Sequence, residues 1–180
     1  MIRTICISLA VLLAAALPAT AGTIGISQTD FGDFVSNDIS VTTSGTWTQM
    51  QLITFGLQDG EIYQNALGGD TPPNSAWLAV APELEFDSFV ANGTTTDAAG
   101  NGVTIIGGAV NLGGGNQKQF SNGKIDITWG GLGDSPTDVA DWLAARITLA
   151  DTANGHFEIL ASMTESKALQ MFDGTIEGGV

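Results

Sequence analysis

The stretch Lys124-Ile125-Asp126-Ile127-Thr128-Trp129 decides the fold class. Ile125, Ile127 and Trp129 alternate with Lys124, Asp126 and Thr128, so an extended chain presents one apolar and one polar face. Ala144–Ala150 repeats the pattern: Ala145, Ile147 and Leu149 face one way, Ala144, Arg146 and Thr148 the other. Strands of this kind bury one side and hydrate the other, which is the requirement of antiparallel sheets packed face to face.

Outward from these two runs the chain is punctuated for strands. It holds 24 glycines. Asp59-Gly60, Asn92-Gly93, Asn122-Gly123, Asn154-Gly155 and Asp173-Gly174 offer the residue pairs that tight hairpins favour. Strands are predicted near Ile39–Thr43, Gln49–Leu57, Ala76–Ala81, Glu85–Ala91, Val103–Leu112, Lys124–Trp129, Ala144–Ala150, His156–Met163 and Ala168–Phe172. One short helix is predicted over Thr137–Leu143, introduced by Ser135-Pro136. The expected architecture is all-β: a single antiparallel β-sandwich of about nine strands, with a jelly roll as one arrangement of them.

The N-terminus reads differently. Arg3 precedes an apolar run from Ile5 to Leu17, Pro18 breaks it, and Ala19-Thr20-Ala21 supplies small residues for a signal peptidase. An apolar core of roughly 13 residues is too short to cross about 30 Å of hydrocarbon. Residues 1–21 are therefore expected to be a signal peptide, cleaved before Gly22, with one domain over 22–180 and no transmembrane anchor left behind. The expected location is extracellular or periplasmic. Cys6, the sole cysteine, falls in the signal, so disulfides, thiol catalysis and thiolate metal sites are not expected in the exported domain.

Charge narrows the partners. The formal net charge is −14, and beyond the signal the basic residues are Lys118, Lys124, Arg146 and Lys167. Such a surface repels phosphate backbones and anionic lipid, so no nucleic-acid partner is expected. An extracellular protein, a glycan or a cation suits it better.

The candidate chemistry is sparse. Glu83, Glu85 and Asp87 are spaced by two, and on a strand their carboxylates share one face, roughly 6.5–7 Å apart. That row, with Asp70 in the stiff loop Gly68-Gly69-Asp70-Thr71-Pro72-Pro73-Asn74, supplies the candidate ligands for a divalent cation, calcium above all. A solvated strand face explains the same residues, as does a glycosidase carboxylate pair, although such pairs usually come from different strands. His156 is the one histidine and no Gly-x-Ser-x-Gly elbow occurs, so no catalytic residue is assigned. No cofactor is expected, calcium being the alternative. Of the four tryptophans, Trp129 is predicted buried, whereas Trp47 and Trp142 are the candidates for sugar stacking.

The run Gly60–Asn74, followed by Ala81-Pro82-Glu83-Leu84-Glu85-Phe86-Asp87-Ser88-Phe89-Val90, resembles uncharacterised exported proteins of planctomycetes and related marine bacteria. Many of those carry a PEP-CTERM sorting tail or a dockerin module. In them a Gly-Gly-Asp-x-x-Pro-Asn loop similarly precedes a Leu-x-(Phe/Tyr)-Asp-(Ser/Thr)-(Phe/Tyr)-Val strand. Ala145-Arg146-Ile147-Thr148-Leu149 with the turn Thr152–Gly155 is similar to a later strand of that family. The resemblance implies an exported β-sandwich and carries over no catalytic residue. Ile176–Val180 departs from the sorting-tail pattern, so anchoring by that route is not expected. The expected function is a non-enzymatic structural or interaction role outside the cytoplasm. A carbohydrate- or cation-binding module is the alternative, and a carboxylate-dependent glycoside hydrolase the next.

Overall fold

The computed structural model describes residues 22–54, 57–97, 102–108, 117–131, 136–163 and 169–180. The expected signal peptide and the ends of several expected strands lie outside them. Among the described residues the chain is all-β, with ten strands in two antiparallel sheets that share one core.

The first sheet runs β1 (Thr23–Phe31), β2 (Phe34–Thr42), β8 (Trp142–Ala150) and β4 (Phe89–Val90) in spatial order. The second runs β10 (Leu169–Glu177), β9 (Asn154–Met163), β3 (Trp47–Thr54), β7 (Lys124–Gly131) and β5 (Val103–Gly107), with β6 (Gln119–Ser121) also on β7. Ile39, Val41 and Ile147 of the first sheet meet Met50, Ile127, Trp129 and Ile159 of the second. The apolar face of β7 turns inward as expected, Ile125, Ile127 and Trp129 being fully buried, but Thr128 on the other face is fully buried too and donates from its hydroxyl to Gly108 O at 2.8 Å. Asn122-Gly123 makes the two-residue turn between β6 and β7, with Ser121 paired to Lys124.

Four expectations need correction. The segment 76–81 is not a strand: Asn74 caps a single helical turn, α1 (Ser75–Leu78), by accepting from the Ala76 N–H at 2.9 Å. Thr137–Leu143 is not a helix, since Asp138 and Asp141 take positive φ values of 49° and 48° and Trp142 already belongs to β8. Asn154-Gly155 and Asp173-Gly174 do not turn; they lie inside β9 and β10, which places His156 in a strand opposite Thr175. Gly174 is needed there for room, because a Cβ would come within 2.5 Å of the Phe157 ring. β1 and β6 form where no strand is predicted.

The polar face of β8 is also not a solvent face. Thr148 is fully buried, donating from its hydroxyl to Ser36 Oγ at 3.0 Å, while its N–H donates to Ser88 Oγ at 2.9 Å. At Ala144 the β2–β8 register slips by one residue, so Ala144 and Ala145 are both buried. Asn37 is a second buried polar centre on β2. Its Nδ2 is shared among the carbonyls of Val35, Ile147 and Gly179 at 3.2, 3.2 and 2.9 Å.

Candidate functional site

What covers β8 is the chain between β3 and β5. Tyr63 N–H donates to Thr148 O and Ala150 N–H to Glu61 O, so the segment enters along the edge of β8. It returns at β4 and continues along the same edge, with Ala91 N–H donating to Ala144 O and Gly93 N–H to Leu143 O. Residues 64–88 form a long loop whose two ends are pinned side by side on one strand.

Asp87 holds this loop from within. Its side chain is 1% exposed, and it accepts from the backbone N–H of Asn65 at 2.7 Å and of Gly69 at 3.0 Å. Burial pushes its carboxyl above the ordinary value of 3.8, against the pull of the backbone N–H groups of Asn65, Gly69 and Ser88. Gly68 packs so close that a Cβ there would run into Asp87 Oδ2. Arg146 fastens the other side: Nε and Nη2 donate to the two oxygens of Asp38 at 2.6 and 2.7 Å, and Nη1 to Glu85 O. Its guanidinium lies 5.8 Å from the centre of the Phe89 ring. Phe86 stacks on Phe31 at 4.2 Å, and Tyr63 meets Phe31 and Phe34 edge-on, which ties the loop to the tip of the β1–β2 hairpin.

The expected carboxylate row is not formed. Pro82–Phe86 is a 3₁₀ helix with Pro82 in its first turn, so residues three apart share a side. Leu84 and Asp87 turn inward while Glu83 and Glu85 stay exposed. Asp70 pairs with Lys118. Among the described residues, Asp70, Glu83, Glu85 and Asp87 are therefore not brought together, and no group of three or more His, Cys, Asp or Glu is placed to hold a metal ion.

The tryptophans also fall differently from expectation. Trp129 is buried as predicted and donates from Nε1 to Ala91 O at 2.9 Å. Trp47 is fully buried and meets the half-buried Trp142 edge-on at 4.7 Å, so neither is a free stacking platform. Trp77 on α1 is the exposed one, 55% accessible, with Val80 just beyond it at 73%. Two shallow clefts flank the loop. One is lined by Gln64, Gly69, Asp70, Lys118 and Phe120; the other by Phe34, Glu61, Tyr63, Gln64, Phe120 and Asn122. Sequence alone does not join Gln64 to Lys118 and Phe120, which lie far along the chain from it and carry no motif. The one local signal was Phe120, whose place before Asn122-Gly123 marks it as a hairpin residue.

No protein-family model, curated protein or solved structure matches the chain.

Proposed function

We propose that this is an exported, non-enzymatic interaction protein, secreted or held at the cell envelope, that meets its partner through the 64–88 loop. One observation carries the reading: the loop is built as a rigid display. Asp87 works inward as a strut on two backbone amides and Asp70 is tied to Lys118, while Trp77 and Val80 are left to solvent beside the exposed Glu83 and Glu85. Exposed aromatic side chains on a fixed support are a common form of binding anchor. The sequence of residues 1–21 supports export.

The test is retention. The protein, expressed with its own leader and purified as the host delivers it, is incubated with an envelope fraction of the producing cells and with insoluble chitin, cellulose and peptidoglycan. Trp77→Ala with Val80→Ser should abolish retention on the envelope fraction without lowering the melting temperature. Retention indifferent to both changes would refute the loop as the contact surface, and release of reducing sugar from any polysaccharide would refute the non-enzymatic reading. Mass spectrometry of the exported material should find Gly22 at the N-terminus.

A glycan-binding reading has one specific observation in its favour. The cleft of Gln64, Asp70, Lys118 and Phe120 combines an aromatic ring with an amide and an ion pair, the side-chain types that hold neutral sugars. Retention on a polysaccharide that is lost in Phe120→Ala but kept in Trp77→Ala would select it.

A further inference from the structure

β1 forms one margin of the four-stranded sheet, with β2 on its inner side and no strand on its outer side among the described residues. Its pairing with β2 closes at Phe31 and Phe34 around the two residues Gly32-Asp33. In a two-residue hairpin the closing pair exchange both hydrogen bonds, so the bonds to β2 fall on Phe31, Thr29, Ser27, Gly25 and Thr23. Ile24, Ile26, Gln28 and Asp30 therefore turn their N–H and C=O groups outward, a row four residues long that no backbone group among the described residues pairs.

The side chains of these same four residues lie on the core side, because their partners across the hairpin include Val41 and Ile39. The core is not closed there. Ile26 is 47% exposed and Val180 49%, and with Ile39, Leu149, Phe157 and Ile176 they line an apolar slot between the sheets. The slot holds about 20 Å³, room for little more than a water molecule. It is too small for a ligand, and something laid across its rim would take Ile26 out of water.

A strand added to β1 meets both needs at once. It satisfies the outward backbone row and carries its own alternate side chains over the slot. The two margins on this side of the molecule differ in charge. β10, which packs near the start of β1 at Gln170 and Phe172, bears the exposed carboxylates Asp173 and Glu177. Such charges are a common guard against edge pairing. β1 has no lysine, no proline and no charge from Thr23 to Thr29.

We infer that β1 is a pairing edge for a second copy of this chain, the two β1 strands joining antiparallel about a twofold axis at Ile26. The register is self-complementary: Ile26 faces Ile26 of the second copy, and Ile24 faces its Gln28. Asp30 lies opposite Gly22 of the second copy, far from the other Asp30, so the seam brings no like charges face to face. In a chain of net charge −14, an uncharged strand is where two copies can approach. The two four-stranded sheets merge into one of eight, and both slots close at the seam.

The experiment is sedimentation equilibrium of the protein as the host exports it, in a Cys6→Ser background. A dimer is expected, tighter at 0.5 M than at 0.05 M sodium chloride because salt screens the repulsion of two acidic bodies. Ile26→Glu should raise the dimer dissociation constant by about a hundredfold or more, since it removes two apolar contacts and sets two like charges together. Ile26→Cys should be joined by a short bismaleimide, whereas Ile106→Cys, exposed on β5 at the opposite side of the second sheet, should not. The cross-link decides the matter even if the glutamate variant folds poorly. A protein that stays monomeric at 100 µM, a dimer indifferent to Ile26→Glu, or cross-linking at position 106 in place of 26 would each overturn the inference. So would a monomer that instead captures a synthetic Thr23–Phe31 peptide without self-association.

Discussion

β7 and the segment Pro82–Phe89 look alike as sequence and are built in opposite ways. Both alternate apolar with polar residues over five or six positions. In β7 the alternation is the structure: Ile125, Ile127 and Trp129 are buried, and the strand is paired on both sides by β3 and by β5 with β6. In Pro82–Phe86 it is overridden. Pro82 fits the first turn of a helix, Glu83 and Glu85 suit its positive end, and a period of three places Leu84 with Asp87. Alternation specifies a strand only when neighbouring strands are there to take its hydrogen bonds; without them, local turn chemistry decides.

The difference should appear first in stability. Trp129→Ala removes the largest side chain of β7 and the donor to Ala91 O, and should cost about 3–5 kcal/mol of global stability in denaturant unfolding. Asp87→Ala should cost about 2 kcal/mol, and should do so locally. Amide exchange at Asn65 and Gly69 should quicken while Ile127 and Ile159 keep their protection. Equal loss of protection in both regions would show that loop and sheets unfold as one unit.

Titration sharpens the same contrast. Burial raises the Asp87 carboxyl in the folded state, so between 3.8 and that raised value the folded chain holds a proton that the unfolded chain has lost. Stability contributed through Asp87 therefore falls as pH rises across this window and is level above it. Asp87→Asn should flatten that part of the stability curve, and an unchanged curve would mean that Asp87 does not set it. The smallest effect belongs to calcium. With Asp87 accepting from backbone amides and Asp70 paired to Lys118, millimolar calcium should raise the melting temperature no more than sodium chloride of equal ionic strength. A rise well beyond that control, lost in Glu85→Gln, would restore the cation reading.

The sheets were legible in the sequence where apolar residues alternate, as in β7, and where a turn has its preferred pair, as at Asn122-Gly123. β1 was not, because between Ile26 and Phe31 it holds only polar residues and its turn carries Gly32-Asp33 in the reverse order. The short helix expected at Thr137–Leu143 rested on the turn-like Ser135-Pro136 that introduces it. Asp138 breaks it by entering the left-handed region, where its Oδ1 accepts from Gly45 N–H at 2.7 Å. The loop that forms the candidate site was least legible of all. Asp87 binds amides 18 and 22 residues away, and Ser88 meets Thr148 from 60 residues away. No local pattern encodes such distances.

Asn37 has a consequence in time. It sits on the second strand, yet its amide reaches the carbonyls of Ile147 and Gly179, separated from it by 110 and 142 residues. The buried amide is left without two of its three acceptors until residues 147 and 179 have been made. Contacts so distant close slowly. A strand made early is thus locked by carbonyls made much later, and its amide is among the last buried groups to find its partners.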